Sequence, residues 1–201
     1  DLVRSRGLGD VYKRQILYLL AIDLLERGEE FGGVVGTHMT NMAFELAFRD
    51  NGIPFFRADV GDRNVMRAMK ERGWSLGGEG SGHILNLKKT NTGDGLIIAL
   101  QILEIIDRKK KSLAQIGNTV TKYPQILKNI RCRDPESLLS NHTFCSEIRG
   151  CTDRLGEKGR ILVRKSGTEP LVRVMIEGQN RQEIESIGGH LESVAVSIRQ
   201  D

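Results

Sequence analysis

From residue 16 to residue 72 the apolar positions alternate between two periods. Ile16, Leu17, Leu19, Leu20, Ile22, Leu24 and Leu25 form the broad stripe of an amphipathic helix, and Gly28 ends it. Gly33-Val34-Val35-Gly36 reads as a short buried strand. Thr40 or Asn41 can cap a second helix with Met42, Phe44, Leu46 and Ala47 as its apolar positions, and Asn51-Gly52 stops it. Ile53 to Phe56 reads as a second strand. Asp62 is a candidate cap for a third helix, with Val65, Met66 and Met69 inward and Gly73 at its end. Strand, helix, strand, helix is the order of an α/β sheet.

The pattern then changes. Trp74-Ser75-Leu76 and His83 to Leu87 read as strand segments around a glycine-rich stretch, Gly77 to Gly82. Thr92-Gly93-Asp94-Gly95 opens a helix from about Gly95 to Asp107, with Lys109, Lys110 and Lys111 as its solvated end. A boundary is expected near residues 112–122. Beyond it the order is strand (125–131), helix (136–147), strand (160–164), loop, strand (171–177) and helix (181–198). Ile184, Ile187, Leu191, Val194 and Ile198 recur at spacings of three and four, and Asn180 with Glu183 resembles a capping box. This second unit reads as α+β with mainly antiparallel strands. The first fifteen residues have no usable periodicity and resemble a translated adapter, so the expected division is a non-native leader (1–15), an α/β domain (16–120) and an α+β domain (121–201).

Charge narrows the partners. The net charge of +4 owes half its size to the first fifteen residues, where four cations face two acids. The remaining positive residues are mostly scattered among acids, unlike the dense basic face of a nucleic-acid binder. No apolar run reaches membrane-spanning length. The expected partners are therefore neither nucleic acid nor a membrane. Cys132, Cys145 and Cys151 are odd in number and lack CxxC spacing, which argues against a disulfide framework or zinc site and for a cytoplasmic protein.

Two motifs carry chemistry. Arg164-Lys165-Ser166-Gly167-Thr168-Glu169-Pro170 precedes Arg173, between two alternating segments. If Arg164 pairs with Leu171, then Arg164 and Arg173 project from one face as diagonal neighbours roughly 7–8 Å apart. Two guanidinium forks, two hydroxyls and a glycine-opened backbone suit a phosphate dianion. In Gly78-Glu79-Gly80-Ser81-Gly82-His83, the flanking glycines let Glu79 and Ser81 reach outward, and a carboxylate can accept hydrogen bonds from two sugar hydroxyls. A third stretch, Val35-Gly36-Thr37-His38-Met39-Thr40-Asn41, has the form of a strand entering a helix, where sites often lie; an ordinary helix cap would look the same. Asp59 and Asp62 are too few for a divalent-cation loop.

RKSGTEPLVRVMIEG resembles the phosphate-binding loop of the α-D-phosphohexomutase superfamily, and GGEGSGH resembles its sugar-binding loop. ILYLLA, VVGTHMTN, RADVGDRNVM and TNTGDGLIIALQ are similar, in the same order, to the phosphoglucosamine mutase branch. The resemblance covers about residues 16–201. It implies the third, mixed α/β domain and the fourth, TATA-binding-protein-like domain of a four-domain enzyme. The implied reaction interconverts glucosamine 6-phosphate and glucosamine 1-phosphate through a phosphoserine and a bisphosphate intermediate.

The resemblance further implies that Glu79 and Ser81, with His83 nearby, hold the sugar. Arg164, Ser166, Gly167, Thr168 and Arg173 would hold the phosphate that is not reacting. It implies Mg2+ in the full-length enzyme, but no DGDxDR metal loop occurs here and no serine stands in the nucleophile's context. Ser166 belongs to the phosphate loop. The chain alone is thus expected to be inactive, with glucosamine phosphate and its bisphosphate as ligands. Thr40 and Ala43 depart from the Ser and Gly expected in most members. The alternatives are a phosphomannomutase or phosphoglucomutase of the same superfamily, and a non-catalytic sugar-phosphate-binding module.

Overall fold

The structure, a computed structural model, describes residues 15–80, 82–117 and 120–198. The expected leader falls almost wholly outside these residues. The chain divides into two compact units between Thr121 and Lys122.

The first unit opens with helix α1 (residues 15–26). Strand β1 (Val34–Thr37) leads to α2 (Met42–Asp50), then β2 (Phe55–Ala58), α3 (Asp62–Arg72), β3 (Leu76–Gly78), β4 (Ile84–Asn86), α4 (Gly95–Lys109) and the short α5 (Leu113–Gly117). The sheet order is β2-β1-β3-β4. β1 runs parallel to β2 and β3, and β4 pairs antiparallel with β3. The two faces of this mixed sheet bury different residues. Val35 and Phe56 face α3 with Val65, Ala68 and Met69. Phe55, beside Val34, stacks on Phe48 of α2, which also meets Tyr18 of α1.

Several boundaries differ from expectation for local reasons. β2 starts at Phe55 because the Ile53 amide closes the end of α2 on the Phe48 carbonyl and Pro54 has no N–H to pair. Asn41, not Thr40, caps α2, accepting from the Ala43 amide. Asp62 is the first residue of α3 rather than its cap; Gly61 occupies that position at φ 122°. Asp94 caps α4 through the Leu96 and Ile97 amides. β3 runs through Gly77 and Gly78 and leaves Trp74 and Ser75 outside it, two residues later than the pattern predicts. Gly77 pairs with Val35 and Leu85, and a Cβ there would sit 2.6 Å from the Met69 sulfur. The glycine lets α3 press against the strand.

The second unit comprises β5 (Gln125–Arg131), α6 (Pro135–Ser140), α7 (His142–Leu155), β6 (Gly159–Lys165), β7 (Leu171–Gly178) and α8 (Arg181–Ile198). Its antiparallel sheet has the order β5-β7-β6. Ile130, Val172, Val174 and Ile176 pack with Phe144, Ile184, Ile187 and Leu191 of the helices. The alternate residues occupy the other face. The helix expected at 136–147 is two helices. Asn141, at φ −65° and ψ 125°, ends α6 and caps α7 through the Phe144 amide. α7 then runs to Leu155, burying Cys151 and Leu155. Asn180 accepts from the Gln182 and Glu183 amides, the forward half of the expected capping box.

Candidate functional site

The phosphate motif forms the β6–β7 hairpin. Its register differs from the expected one: Arg164 stands directly opposite Arg173, not opposite Leu171. Pairing continues through Lys165 and Val172, and the Ser166 amide donates to the Leu171 carbonyl at 2.9 Å. The turn is therefore only Gly167 to Pro170, and the Cys132 amide anchors it through the Pro170 carbonyl. The slip is two residues, so both arginines still share one face. They are also closer than diagonal neighbours, with opposed Cβ atoms about 4.5–5.5 Å apart.

Two guanidinium-bearing residues directly opposed on a sheet repel one another, so this pairing costs stability unless an anion lies between them. Arg173 is 32% exposed in its side chain, and its Nη2 lies 3.6 Å from Glu169 Oε2. Its Nε and the Ser166 Oγ are buried atoms without hydrogen-bond partners. Such orphaned donors are rare in folded proteins and usually mark an interaction still to be made. Gly167 and Thr168 are exposed at the turn. A Cβ at Gly167 would touch nothing, so space above the loop is open. Lys165 points away from the arginines by strand alternation. It bonds Glu136, and that hydrogen bond raises its pKa.

The sugar motif is the β3–β4 turn. The Glu79 amide donates to the His83 carbonyl and the Gly82 amide to the Glu79 carbonyl, with Gly82 at φ 103°. Glu79 is half-buried and His83 exposed. Ser81 lies outside the described residues. Because β1, β2 and β3 are parallel, their C-terminal ends share one edge of the sheet. Thr37 is level with Ala58, and Val35 with Gly77. Glu79, His38 and Asp59 thus follow three neighbouring strand ends, the usual place for a ligand in such a sheet. His38 Nε2 lies 3.6 Å from Asp59 Oδ1.

Arg57 was not singled out by sequence. Its guanidinium donates to the Thr37 and Thr40 carbonyls at 3.1 and 2.7 Å and to Glu45 at 2.9 Å. It fixes the strand-to-helix turn that carries His38. The available signal was a lone arginine in an otherwise apolar strand. The described residues do not fit a magnesium centre, because no three His, Cys, Asp or Glu side chains among them converge. No helix among them is long and apolar enough to cross a membrane.

The comparisons with known proteins name the class to which this mixed-sheet unit and antiparallel unit belong. Residues 13–123 match the family described as phosphoglucomutase/phosphomannomutase, alpha/beta/alpha domain III, and residues 117–189 match its C-terminal domain. The chain belongs to the phosphoglucomutase/phosphomannomutase family. Within that family it is homologous to phosphoglucosamine mutases. It is 48% identical over 170 residues to phosphoglucosamine mutase 1 of Shewanella amazonensis, covering 85% of this chain and 38% of that protein. It is 44% identical over 185 residues to phosphoglucosamine mutase of a Polaromonas species, covering 92% and 41%. The chain thus spans about two fifths of the length of these relatives. Its fold is also that of Aspergillus fumigatus N-acetylphosphoglucosamine mutase, solved in complex with GlcNAc-6P and magnesium. The TM-score is 0.72 at 19% identity, covering 94% of this chain and 46% of that one.

Proposed function

We propose that this chain is the substrate-recognition part of a phosphoglucosamine mutase, which interconverts glucosamine 6-phosphate and glucosamine 1-phosphate for amino-sugar metabolism and cell-wall precursors. In this reading residues 16–120 form the sugar-binding domain and residues 121–201 the phosphate-binding domain. Arg164, Ser166, Gly167, Thr168 and Arg173 hold the phosphate that is not reacting. Glu79 and Ser81 accept from or donate to the sugar, with His83 beside them. Recognition of both ends of a nearly symmetric bisphosphate lets one site serve two orientations of the intermediate. The phosphoserine and Mg2+ of the complete reaction lie outside the part assigned here. Three free thiols, two of them buried, suit a reducing, cytoplasmic setting.

The observation that carries the reading is the Arg164–Arg173 pair with its two orphaned polar atoms. The names of relatives at 44–48% identity favour glucosamine over mannose or glucose. Phosphoryl transfer needs an in-line nucleophile and charge neutralisation at the phosphorus. The groups assigned here position a substrate but do not break its P–O bond. Calorimetry with glucosamine 6-phosphate, mannose 6-phosphate and glucose 6-phosphate tests binding and choice of sugar, and a coupled assay tests turnover. Tightest binding of glucosamine 6-phosphate without turnover is expected. Absence of binding overturns the proposal, as does turnover by the chain alone.

A further inference from the structure

The open face of the second sheet holds one more cation beside the hairpin. Arg131, the last residue of β5, pairs with Leu171, and Asn129 pairs with Arg173. Ile130 between them is buried against the helices, so Asn129 and Arg131 lie on the opposite face, with Arg164 and Arg173. The sheet therefore presents two rows. In the inner row Asn129, Arg173 and Arg164 lie side by side across three strands. In the outer row Arg131 and Leu171 continue into Ser166, whose amide closes the hairpin on Leu171. Arg131 is thus a diagonal neighbour of Arg173, within reach of a long side chain. It stands across Leu171 from the orphaned Ser166 hydroxyl.

Burial and pairing point the same way. Arg131 is exposed, and among the described residues its side chain makes no hydrogen bond or ion pair. Its pairing with Leu171 sets it beside the turn, and it borders an open cavity of about 700 Å³ that runs from Glu169 and Pro170 of the turn to Asp134 and Ser137 of the α6 side. The nearest acid on the turn, Glu169, is engaged with Arg173. Asp134, the other acid bordering that cavity, caps α6 through the Glu136 and Ser137 amides. The guanidiniums of Arg131, Arg164 and Arg173 thus outnumber the acids around them and leave a net positive field at the loop.

We infer that Arg131 is a third phosphate-binding cation, supplied by β5 rather than by the hairpin, and that its ligand is the same phosphate monoester dianion. This rests on the reading of the hairpin as a phosphate site. Arg131 approaches the ligand from the side opposite Arg164, so the dianion is held on two flanks. A fork on each flank fixes its lateral position as well as its depth.

Calorimetric titration of the chain with inorganic phosphate and with glucosamine 6-phosphate tests this, using Arg131→Ala, Arg131→Lys, Arg173→Ala and the distant surface control Arg154→Ala. The expected result is a loss of about three- to tenfold in affinity for both ligands with Arg131→Ala, and a shallower dependence on salt. Arg131→Lys should recover part of the loss, and Arg154→Ala should bind as the wild type does. Thermal unfolding of each variant separates binding from folding. If Arg131→Ala binds as tightly as wild type while Arg173→Ala does not, the inference about Arg131 is wrong and the hairpin site stands. If neither variant changes affinity, or the wild type binds no phosphate, the hairpin reading falls and the inference falls with it.

Discussion

The two recognition loops are both hairpin turns, yet they are built in opposite ways. The β3–β4 turn joins strands of three residues each, and glycine sterics shape it. Its main chemical offering is one carboxylate, an acceptor. The β6–β7 turn is the end of a seven- and eight-residue ladder. Its one carboxylate, Glu169, is turned to Arg173, and the rest of its offering can donate: two guanidiniums, two hydroxyls and backbone amides. An acceptor suits hydroxyls and ammonium, and a donor set suits phosphate. The comparison teaches that a loop's chemistry is set by what its strands can hold still. A long ladder can keep two like charges opposed, whereas a short one is locked by close packing.

The sharpest difference is steric. Gly77→Val would drive a branched side chain into Met69 and the Val35 carbonyl, so thermal unfolding should show a loss of about 2–3 kcal/mol in the first unit. A loss below about 0.5 kcal/mol would mean that packing does not lock that turn. The next effect is on binding. Arg173→Ala removes a charge-assisted contact and should weaken phosphate binding about tenfold or more by calorimetry, with the fold intact by circular dichroism. Glu79→Gln keeps the shape and removes the charge. It should weaken glucosamine 6-phosphate by about threefold to tenfold and leave inorganic phosphate unchanged. Equal losses for both ligands would erase the division of labour between the loops. The smallest effect is expected at Gly167. A methyl there meets nothing and the backbone has no positive φ, so Gly167→Ala should alter stability by less than about 0.5 kcal/mol.

How far the sequence disclosed this follows from the same contrast. The second unit was legible because its signals are long. Alternation through Leu171–Gly178 placed Arg164 and Arg173 on one face even though the assumed register was off by two. The five apolar positions of α8 were visible, and all pack on the core. What escaped was local. The break at Asn141 hides inside a continuous apolar period, because one asparagine can end one helix and start the next without disturbing the spacing. β3 runs over Leu76–Gly78 rather than 74–76, a shift the pattern hides because glycine carries no side-chain period, and Gly77 and Gly78 both pair with β4. Asp62 looked like a cap, yet Gly61 at positive φ took the position. Arg57 was missed because its partners are backbone carbonyls of another segment, which no pattern along the chain records.

The alternation of faces along β6 has a meaning for lineage. The turn sets the register of this hairpin, so deleting one residue between Arg160 and Arg164 would leave Arg164 opposite Arg173 and carry Arg160 onto the helix-covered face beside Ile176, while deleting two would return it to its own face. Length changes in this strand that preserve the core should therefore arise in pairs. A family descended from this hairpin would carry even-numbered gaps there, with odd ones confined to the turn.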